Sequence, residues 1–205
     1  MTTSARQLPP EIKTAPFIWR QLFHLIPGSI VPVAGIFAPQ EITVIAFGAL
    51  AFISLSLDLL RFRASWLNRL FTRWLAPLLK KEEDHRITGA TYMVVAGFIV
   101  FLFFDKTVAV SAMLFLSLGD PVAALVGRRM PGPRLFAKSP VGTAAFVGVS
   151  LLVVTALVGS GAFQYHWGLL VGAVVAGLVE LTPVPLDDNL TIPLISGAVM
   201  HLLVV

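Results

Sequence analysis

The stretch 165–205 reads YHWGLLVGAVVAGLVELTPVPLDDNLTIPLISGAVMHLLVV, in which two apolar runs flank the polar tripeptide Asp187-Asp188-Asn189. Runs of about 17 to 25 mostly apolar residues can cross a bilayer as helices. Two adjacent carboxylates at such a boundary are costly unless a metal ion or another cation neutralises them. The stretch therefore predicts two membrane-spanning helices joined by a turn that carries chemistry.

The composition places the whole chain in the membrane class. Of the 205 residues, 57% are hydrophobic and 13% are charged, whereas soluble domains carry roughly 25% charged residues. The chain has no cysteine, which excludes disulfide frameworks, thiolate metal sites and cysteine nucleophiles. The net charge of +4 is explained by basic cytoplasmic loops, so we expect no nucleic-acid partner.

We predict an all-α, polytopic membrane helical bundle with about seven transmembrane helices and one interfacial amphipathic helix. Residues 22–205 form a single integral membrane domain, and residues 1–21 form a cytoplasmic N-terminal segment. Within the domain, the connector 61–86 has apolar residues about every four positions between arginines, which is typical of an amphipathic helix on anionic headgroups. Pro27 and Pro32 predict a kinked or partly re-entrant first span. The predicted spans are 22–39, 41–60, 87–104, 107–126, 141–160, 165–182 and 190–205.

The basic residues set the orientation of this bundle. If seven spans alternate, all of the 15 lysines and arginines except Lys106 fall on one side. Because basic loops stay on the cytoplasmic side, the N-terminus is predicted to be cytoplasmic. The acidic turn 187–189 and Asp120, near the end of the fourth span, then face the same compartment. We therefore expect an integral protein of the cell membrane whose site faces cytoplasmic nucleotides.

A first candidate constellation follows Gly119-Asp120-Pro121. On a helix, Asp120 shares a face with the small residues around Ala123 and with Gly127, which permits close contact with a neighbouring helix. The carboxylate of Asp120 can hold a cation above that contact. A basic loop then supplies candidate phosphate ligands, which are Arg128, Arg134, Lys138 and Ser139. A purely structural alternative is a basic cytoplasmic loop in which Ser139 caps the next helix.

The second constellation begins at Glu180, at the cytoplasmic end of the sixth predicted span. Prolines then stop the helix, and Asp187, Asp188 and Asn189 precede the last span. Helix capping needs one such residue, so a run of three together with Glu180 exceeds that need. Oxygen-only ligands suit Mg²⁺, which binds through a few carboxylates and substrate phosphates. The predicted metal ligands are Asp120, Glu180, Asp187 and Asp188.

Outside these constellations, Asp58 and Arg61 are spaced as an ion pair at a helix end. Such a pair either is purely local or helps to position a basic group near the site. His24 lies near the mouth of the first span, where a lone interfacial histidine is more often structural.

These motifs together resemble the CTP-dependent polyprenol kinases, which include dolichol kinase, phytol kinase and the CTP-dependent diacylglycerol kinase of yeast. They are also similar, more distantly, to the phosphatidate cytidylyltransferases. The resemblance covers roughly residues 20–28 and 86–200. The residues that carry it are Gly119-Asp120-Pro121-x-Ala-Ala-x-x-Gly127-Arg128, Lys138-Ser139-x-x-Gly142, Glu180 and Asp187-Asp188-Asn189-x-x-x-Pro193.

The resemblance implies transfer of the γ-phosphoryl group of CTP to the hydroxyl of an isoprenoid alcohol or of diacylglycerol, with Mg²⁺. Asp120, Asp187 and Asp188 are the candidate catalytic residues. Asp188 or Asp187 is the favoured acceptor of the hydroxyl proton, although the sequence does not separate base from metal ligand. A cytidylyltransferase and an ion-coupled transporter are the alternatives, although a transporter predicts acidic groups near the bilayer midplane. The candidate ligands of the nucleotide phosphates are His24, Gly127, Arg128, Arg134, Lys138, Ser139, Gly142 and Asn189.

Overall fold

The computed structural model describes residues 17–75, 86–130, 132–136 and 138–204. Within these ranges every regular element is a helix, and the single β-bridge joins Leu135 to Lys138. The all-α prediction is therefore confirmed. The elements are α1 (Phe17–Phe37), α2 (Gln40–Arg63), α3 (Ser65–Leu75), α4 (Gly89–Phe103), α5 (Lys106–Leu114), a π-helical segment (Phe115–Gly119), α6 (Asp120–Arg129), α7 (Pro140–Gly159), α8 (Trp167–Leu181) and α9 (Asp188–Val204).

The centre of the bundle is a continuous rod formed by α5, the π-helical segment and α6. Most side chains of α5, such as Val108 and Met113, are fully buried, and so are Phe115 and Leu116 of the π-helical segment. Helices α1, α7, α8 and α9 pack around the rod. The apolar core of the protein is therefore assembled on the predicted fourth span.

The π-helical segment immediately precedes Asp120 and Pro121. Proline has no backbone N–H and its ring crowds the carbonyl of the residue four positions earlier, which here is Ser117. The wider π turn at this point relieves that crowding without ending the rod. Asp120 thus starts α6 inside a continuous helix.

Membrane-length helices are present, although fewer than the prediction assumed. Among the described residues, three helices are long and apolar enough to cross a membrane, namely α2, the rod Lys106–Arg129 and α7. Helices α4, α8 and α9 are apolar but have 15, 15 and 17 residues. Helix α1 runs unbroken through Pro27 and Pro32, so the helix has no re-entrant break. A helical membrane bundle is supported, and seven full crossings stay a prediction.

Helix α3 is amphipathic, as the sequence of the connector predicts. Its apolar residues Trp66, Leu70 and Trp74 are exposed, and Arg69 and Arg73 lie between them in the sequence. Exposed apolar residues beside arginines suit a helix lying on a lipid surface. Residues 76–85 of the predicted connector lie outside the described part of the chain.

A buried ion pair joins α2 to the start of α4. Asp58 and Arg61 are each 1% exposed, and Arg61 Nε donates to Asp58 Oδ1 over 2.7 Å. Asp58 Oδ2 accepts hydrogen bonds from the backbone N–H of Thr88, at 3.0 Å, and from Thr91 Oγ1, at 2.8 Å. The carboxylate therefore holds the N-terminal end of α4 against α2.

The guanidinium of Arg61 connects the same pair to α3. It lies 4.6 Å from the ring centroids of both Phe62 and Phe71, and its Nη1 donates to Asn68 Oδ1 over 3.1 Å. Cation–π contacts strengthen when the cation is removed from water. The predicted local ion pair is therefore also the junction of three helices.

Replacing Asp58 by Asn leaves the buried guanidinium of Arg61 without its counter-charge. We expect Asp58→Asn to lower the free energy of unfolding by about 3–5 kcal/mol, as for other broken buried pairs. Unfolding in detergent micelles, followed by tryptophan fluorescence, measures the change. Asp105→Asn is the matched control because Asp105 is 59% exposed beside His201. Equal stability of the two variants would contradict the structural role of Asp58.

Candidate active site

A cleft of about 370 Å³ opens between the N-terminal half of α1, α6, the loop before α7 and the adjoining ends of α4, α8 and α9. It gathers two of the three predicted catalytic carboxylates and every predicted phosphate ligand. The predicted site residues that line it are His24, Asp120, Gly127, Arg128, Arg134, Lys138, Ser139, Gly142, Glu180, Asp188 and Asn189.

Lys138 is the centre of one wall of the cleft. Its Nζ donates to Asp188 Oδ2 over 2.7 Å and also to the backbone carbonyl of Glu180, and it lies 3.5 Å from Glu180 Oε1. Burial alone lowers the pKa of Lys138, but the hydrogen bond to Asp188 and the charges of Asp188, Glu180 and Asp120 outweigh burial and raise the pKa. The ammonium group therefore stays charged at neutral and mildly alkaline pH.

A tight turn presents Lys138 to this wall. The N–H and carbonyl groups of Leu135 and Lys138 exchange two backbone hydrogen bonds of 2.8 and 2.9 Å. Phe136, inside the turn, has a positive φ of 51°, a conformation uncommon outside glycine. The turn reverses the chain between α6 and α7 and fixes where the lysine enters the cleft.

Glu180 has a second partner in α7. Its Oε2 accepts a hydrogen bond from Thr143 Oγ1 over 2.9 Å, so the C-terminal end of α8 is fixed to the first turn of α7. At the start of α7, Ser139 Oγ accepts from the N–H of Gly142 at 3.4 Å. Ser139 is thus a helix cap, as the structural alternative predicts, and it also lines the cleft.

Helices α6 and α7 touch through their backbones. A Cβ atom added to Gly142 would lie 2.7 Å from the carbonyl oxygen of Ala123 and 3.4 Å from Cα of Gly127. A Cβ atom added to Gly127 would lie 3.0 Å from Cβ of Ser139. Small residues permit such close approach of membrane helices. The contact brings the basic loop beside Asp120.

The opposite wall is formed by α1 and α6. His24 Nδ1 lies 3.9 Å from Asp120 Oδ2, and the Arg128 guanidinium stacks 4.1 Å from the ring centroid of Phe17. Helix α6 has ten residues, which places Asp120 about 14 Å along the axis from Arg129. Asp120 therefore lies about two and a half helical turns before the end of the rod, whereas the sequence pattern predicts a position near the end of the fourth span.

Asp187 is the predicted site residue that does not line the cleft. Its Oδ1 accepts from the N–H of Asn189 over 3.0 Å, and its carbonyl accepts from the N–H groups of Leu190 and Thr191. These bonds are typical of a residue that caps a helix. The two residues of the acidic pair therefore have different partners: Asp187 caps α9, and Asp188 forms an ion pair with Lys138.

Several lining residues were missed from the sequence. Thr88, Gly89 and Phe71 form part of the wall, and the Asp58–Arg61 pair fixes Thr88 and Phe71. Gln21 also lines the cleft. A polar residue on an apolar helix face was the available signal for Gln21, whereas the wall residues depend on long-range contacts.

The carboxylates suit a metal ion that arrives with phosphates better than a resident ion. Among the described residues, no three histidine, aspartate or glutamate side chains are grouped to hold a metal. Lys138 already neutralises Asp188 and Glu180. Mg²⁺ commonly takes only one or two protein carboxylates and fills its remaining positions with water and substrate phosphates. Asp120 and Asp188 fit that smaller role.

Comparison with known proteins adds an independent observation. The CTP-dependent diacylglycerol kinase 1 of Schizosaccharomyces pombe is 29% identical over 184 aligned residues, covering 82% of this chain and 84% of that protein. The chain is related to the CTP-dependent diacylglycerol kinases. The protein of the same name from Saccharomyces cerevisiae is 30% identical over 71% of this chain and 58% of its own length. The family resemblance predicted from the motifs is confirmed.

Other comparisons are less specific. An uncharacterized protein of Rickettsia prowazekii is 26% identical over 85% of this chain and 88% of its own length. No family model and no solved structure matches the chain.

The contact between α6 and α7 can be tested with two glycine-to-alanine variants of α7. Gly142→Ala places a methyl group against the carbonyl of Ala123, so we expect a loss of about 1–3 kcal/mol in the free energy of unfolding and weaker nucleotide binding. Gly148→Ala is the control, because no atom lies within 4 Å of a Cβ at that position of α7. Chemical unfolding and titration with CTP measure both effects. Identical behaviour of the two variants would show that the helices do not depend on this contact.

Proposed function

We propose that this protein is a CTP-dependent lipid kinase that transfers the γ-phosphoryl group of CTP to the hydroxyl of diacylglycerol. The observation that carries the proposal is one cleft, at one end of an apolar bundle, that combines Arg128, Arg134 and Lys138 with Asp120 and Asp188. The names of the relatives supply the donor and the acceptor. The isoprenoid alcohols that the sequence also suggests are secondary candidates.

The basic side chains that line the cleft suit the nucleotide phosphates. Phosphoryl transfer relies on positioning and on stabilising the charge that develops on the phosphate oxygens. Lys138 is held in place by Asp188 and Glu180 and stays charged, and Arg128 is ordered by its contact with Phe17.

Asp120 and Asp188 are cleft carboxylates that could ligate the metal ion accompanying the nucleotide. In this mechanism Asp188 would hold the metal ion, which leaves Asp120 to act as a base. When bound, Mg²⁺ neutralises charge on the phosphate oxygens. In the structure Lys138 contacts Asp188 at 2.7 Å, and His24 lies 3.9 Å from Asp120.

The acceptor reacts beside Asp120, on the wall formed by α1 and α6. The lipid hydroxyl oxygen forms a bond to Pγ, the bond from Pγ to the β–γ bridging oxygen breaks, and CDP leaves with that electron pair. The hydroxyl proton passes to the carboxylate of Asp120, which His24 adjoins at 3.9 Å. A base within reach of the acceptor is the arrangement that general-base catalysis requires. The products are phosphatidate and CDP.

Isotope position separates the candidate reactions. Purified protein is incubated with Mg²⁺, CTP labelled at either the α or the γ phosphate, and mixed micelles that contain, in separate reactions, diacylglycerol, phosphatidate, phytol or farnesol. We expect only the γ label to reach the lipid. Transfer of the α label to phosphatidate would establish the cytidylyltransferase instead, and no transfer to diacylglycerol, phytol or farnesol would overturn the kinase.

The same assay tests Asp120. We expect Asp120→Asn to lower the rate of γ-label transfer by about a hundredfold to ten-thousandfold, the usual contribution of a positioned acid or base. Asp105→Asn, the same substitution beside His201, leaves the rate unchanged. Wild-type activity in Asp120→Asn would remove Asp120 from the mechanism.

The divided acidic pair gives a further contrast. Asparagine caps a helix as well as aspartate does, so we expect Asp187→Asn to keep most of the activity and stability. We expect Asp188→Asn to lower γ-label transfer by at least about tenfold, because the ion pair that positions Lys138 is lost. Initial rates at saturating CTP measure both. A larger loss in Asp187→Asn would return Asp187 to the catalytic set.

A further inference from the structure

A second cavity of about 300 Å³ lies between α1 and α6, next to the polar cleft. Its surface is almost entirely apolar. The cavity is therefore a groove for hydrocarbon rather than for a nucleotide. The lining residues are Ile18, Gln21, Leu22 and Leu25 of α1 and Pro121, Val122, Leu125, Val126 and Arg129 of α6.

Helical spacing explains how the groove forms. Residues three and four positions apart share one helix face, so Ile18, Leu22 and Leu25 form a stripe on α1 that faces a matching stripe on α6. Ile18 and Leu22 are 41% and 38% exposed. The side of the groove is therefore accessible. In a membrane, the surroundings of such a helix face are hydrocarbon.

Gln21 is the residue common to both cavities. It is 4% exposed and places an amide at the boundary between the polar cleft and the apolar groove. An amide can both donate a hydrogen bond to a hydroxyl group and accept one from it. The boundary therefore suits a ligand with a polar end and an apolar chain.

We propose that the α1–α6 groove binds one acyl chain of the diacylglycerol acceptor and that the Gln21 amide binds its hydroxyl-bearing glycerol end. This inference rests on the proposed function. Pro121 lines the groove and directly follows Asp120, which lines the cleft. A lipid with its chain in the groove therefore brings its hydroxyl beside Asp120.

The position of the groove beside the cleft favours this occupant. Gln21 lines both cavities, and the consecutive residues Asp120 and Pro121 line one cavity each, so a molecule in the groove can extend one end toward the cleft. Its lining offers hydrophobic surface along its length, with Arg129 as the charged residue. A hydrocarbon chain matches that surface, and a polar or peptide occupant would leave backbone groups without partners.

Labelling locates the lipid directly. Full-length protein in mixed micelles is irradiated with a diacylglycerol that carries a diazirine on one acyl chain, and labelled residues are identified by mass spectrometry. We expect the label to concentrate on α1 and α6 around Leu22 and Leu125. Excess unlabelled diacylglycerol abolishes this labelling. Uniform labelling of the bundle, or labelling displaced by phytol and not by diacylglycerol, would overturn the inference.

Filling the groove tests its use in the reaction. We expect Leu125→Trp to raise the KM for diacylglycerol at least about tenfold, as steric changes in apolar pockets do, with the KM for CTP unchanged. Leu152→Trp is the matched control, because Leu152 is 68% exposed on α7, outside both cavities. Equal KM values for the two variants would mean that the groove is not used, whether because another segment of the chain covers it or because the lipid binds elsewhere.

Gln21 is tested by removing only its hydrogen-bonding groups. We expect Gln21→Met to raise the KM for diacylglycerol about threefold to tenfold, the equivalent of one lost hydrogen bond, while the KM for CTP and the unfolding midpoint stay unchanged. An unchanged KM for diacylglycerol would contradict a role in lipid binding.

The two proposals fail separately. Labelling that concentrates on α1 and α6 without γ-label transfer supports the lipid groove and removes the kinase. Transfer that proceeds with uniform labelling supports the kinase and removes the groove.

Discussion

The contact between the Lys138 ammonium and the Asp188 carboxylate, 2.7 Å apart, is the interaction on which the site depends. It joins the loop before α7 to the start of α9, and the bond from Lys138 to the Glu180 carbonyl adds the end of α8. Without that cation, the carboxylates of Asp188 and Glu180 would lack their counter-charge in a partly buried site, where removal from water is costly. The lysine makes the acidic cluster compatible with folding, and it leaves Asp120 on the opposite wall as the carboxylate that lysine does not bind.

The remaining walls are positioned by contacts between helices that do not involve Lys138. The backbone contact between Gly142 and Ala123 sets the separation of α6 and α7, and the buried Asp58–Arg61 pair fixes the start of α4. Both contacts lie close to residues that line the cleft, so the site inherits its shape from rigid helix junctions. Chemical groups held by such junctions need little rearrangement when substrates bind, which favours catalysis by positioning.

Much of this arrangement could be predicted from the sequence. The apolar runs predict helices, because backbone groups in lipid must be paired within the chain. The family motifs predict that Asp120, Lys138, Glu180 and Asp188 belong to one site. The division of the acidic pair could not be predicted. The sequence does not show which of two adjacent carboxylates caps α9 and which one contacts Lys138, because that depends on how α9 packs against the loop before α7. Thr88 was missed for a related reason, because its role depends on Asp58, which is far away in the sequence. Gln21 carried a local signal, a polar residue on an apolar helix face.

The close crossing of α6 and α7 has a kinetic consequence. The backbone contact leaves no space for a lipid between these two helices, whereas an apolar groove lies between α1 and α6 in the described part of the chain. In the proposed reaction the nucleotide arrives by diffusion through water and the lipid by diffusion in the two dimensions of a membrane. For the lipid, the relevant concentration is its mole fraction in the membrane, so dilution of the acceptor among other lipids slows the reaction even when its total amount is constant.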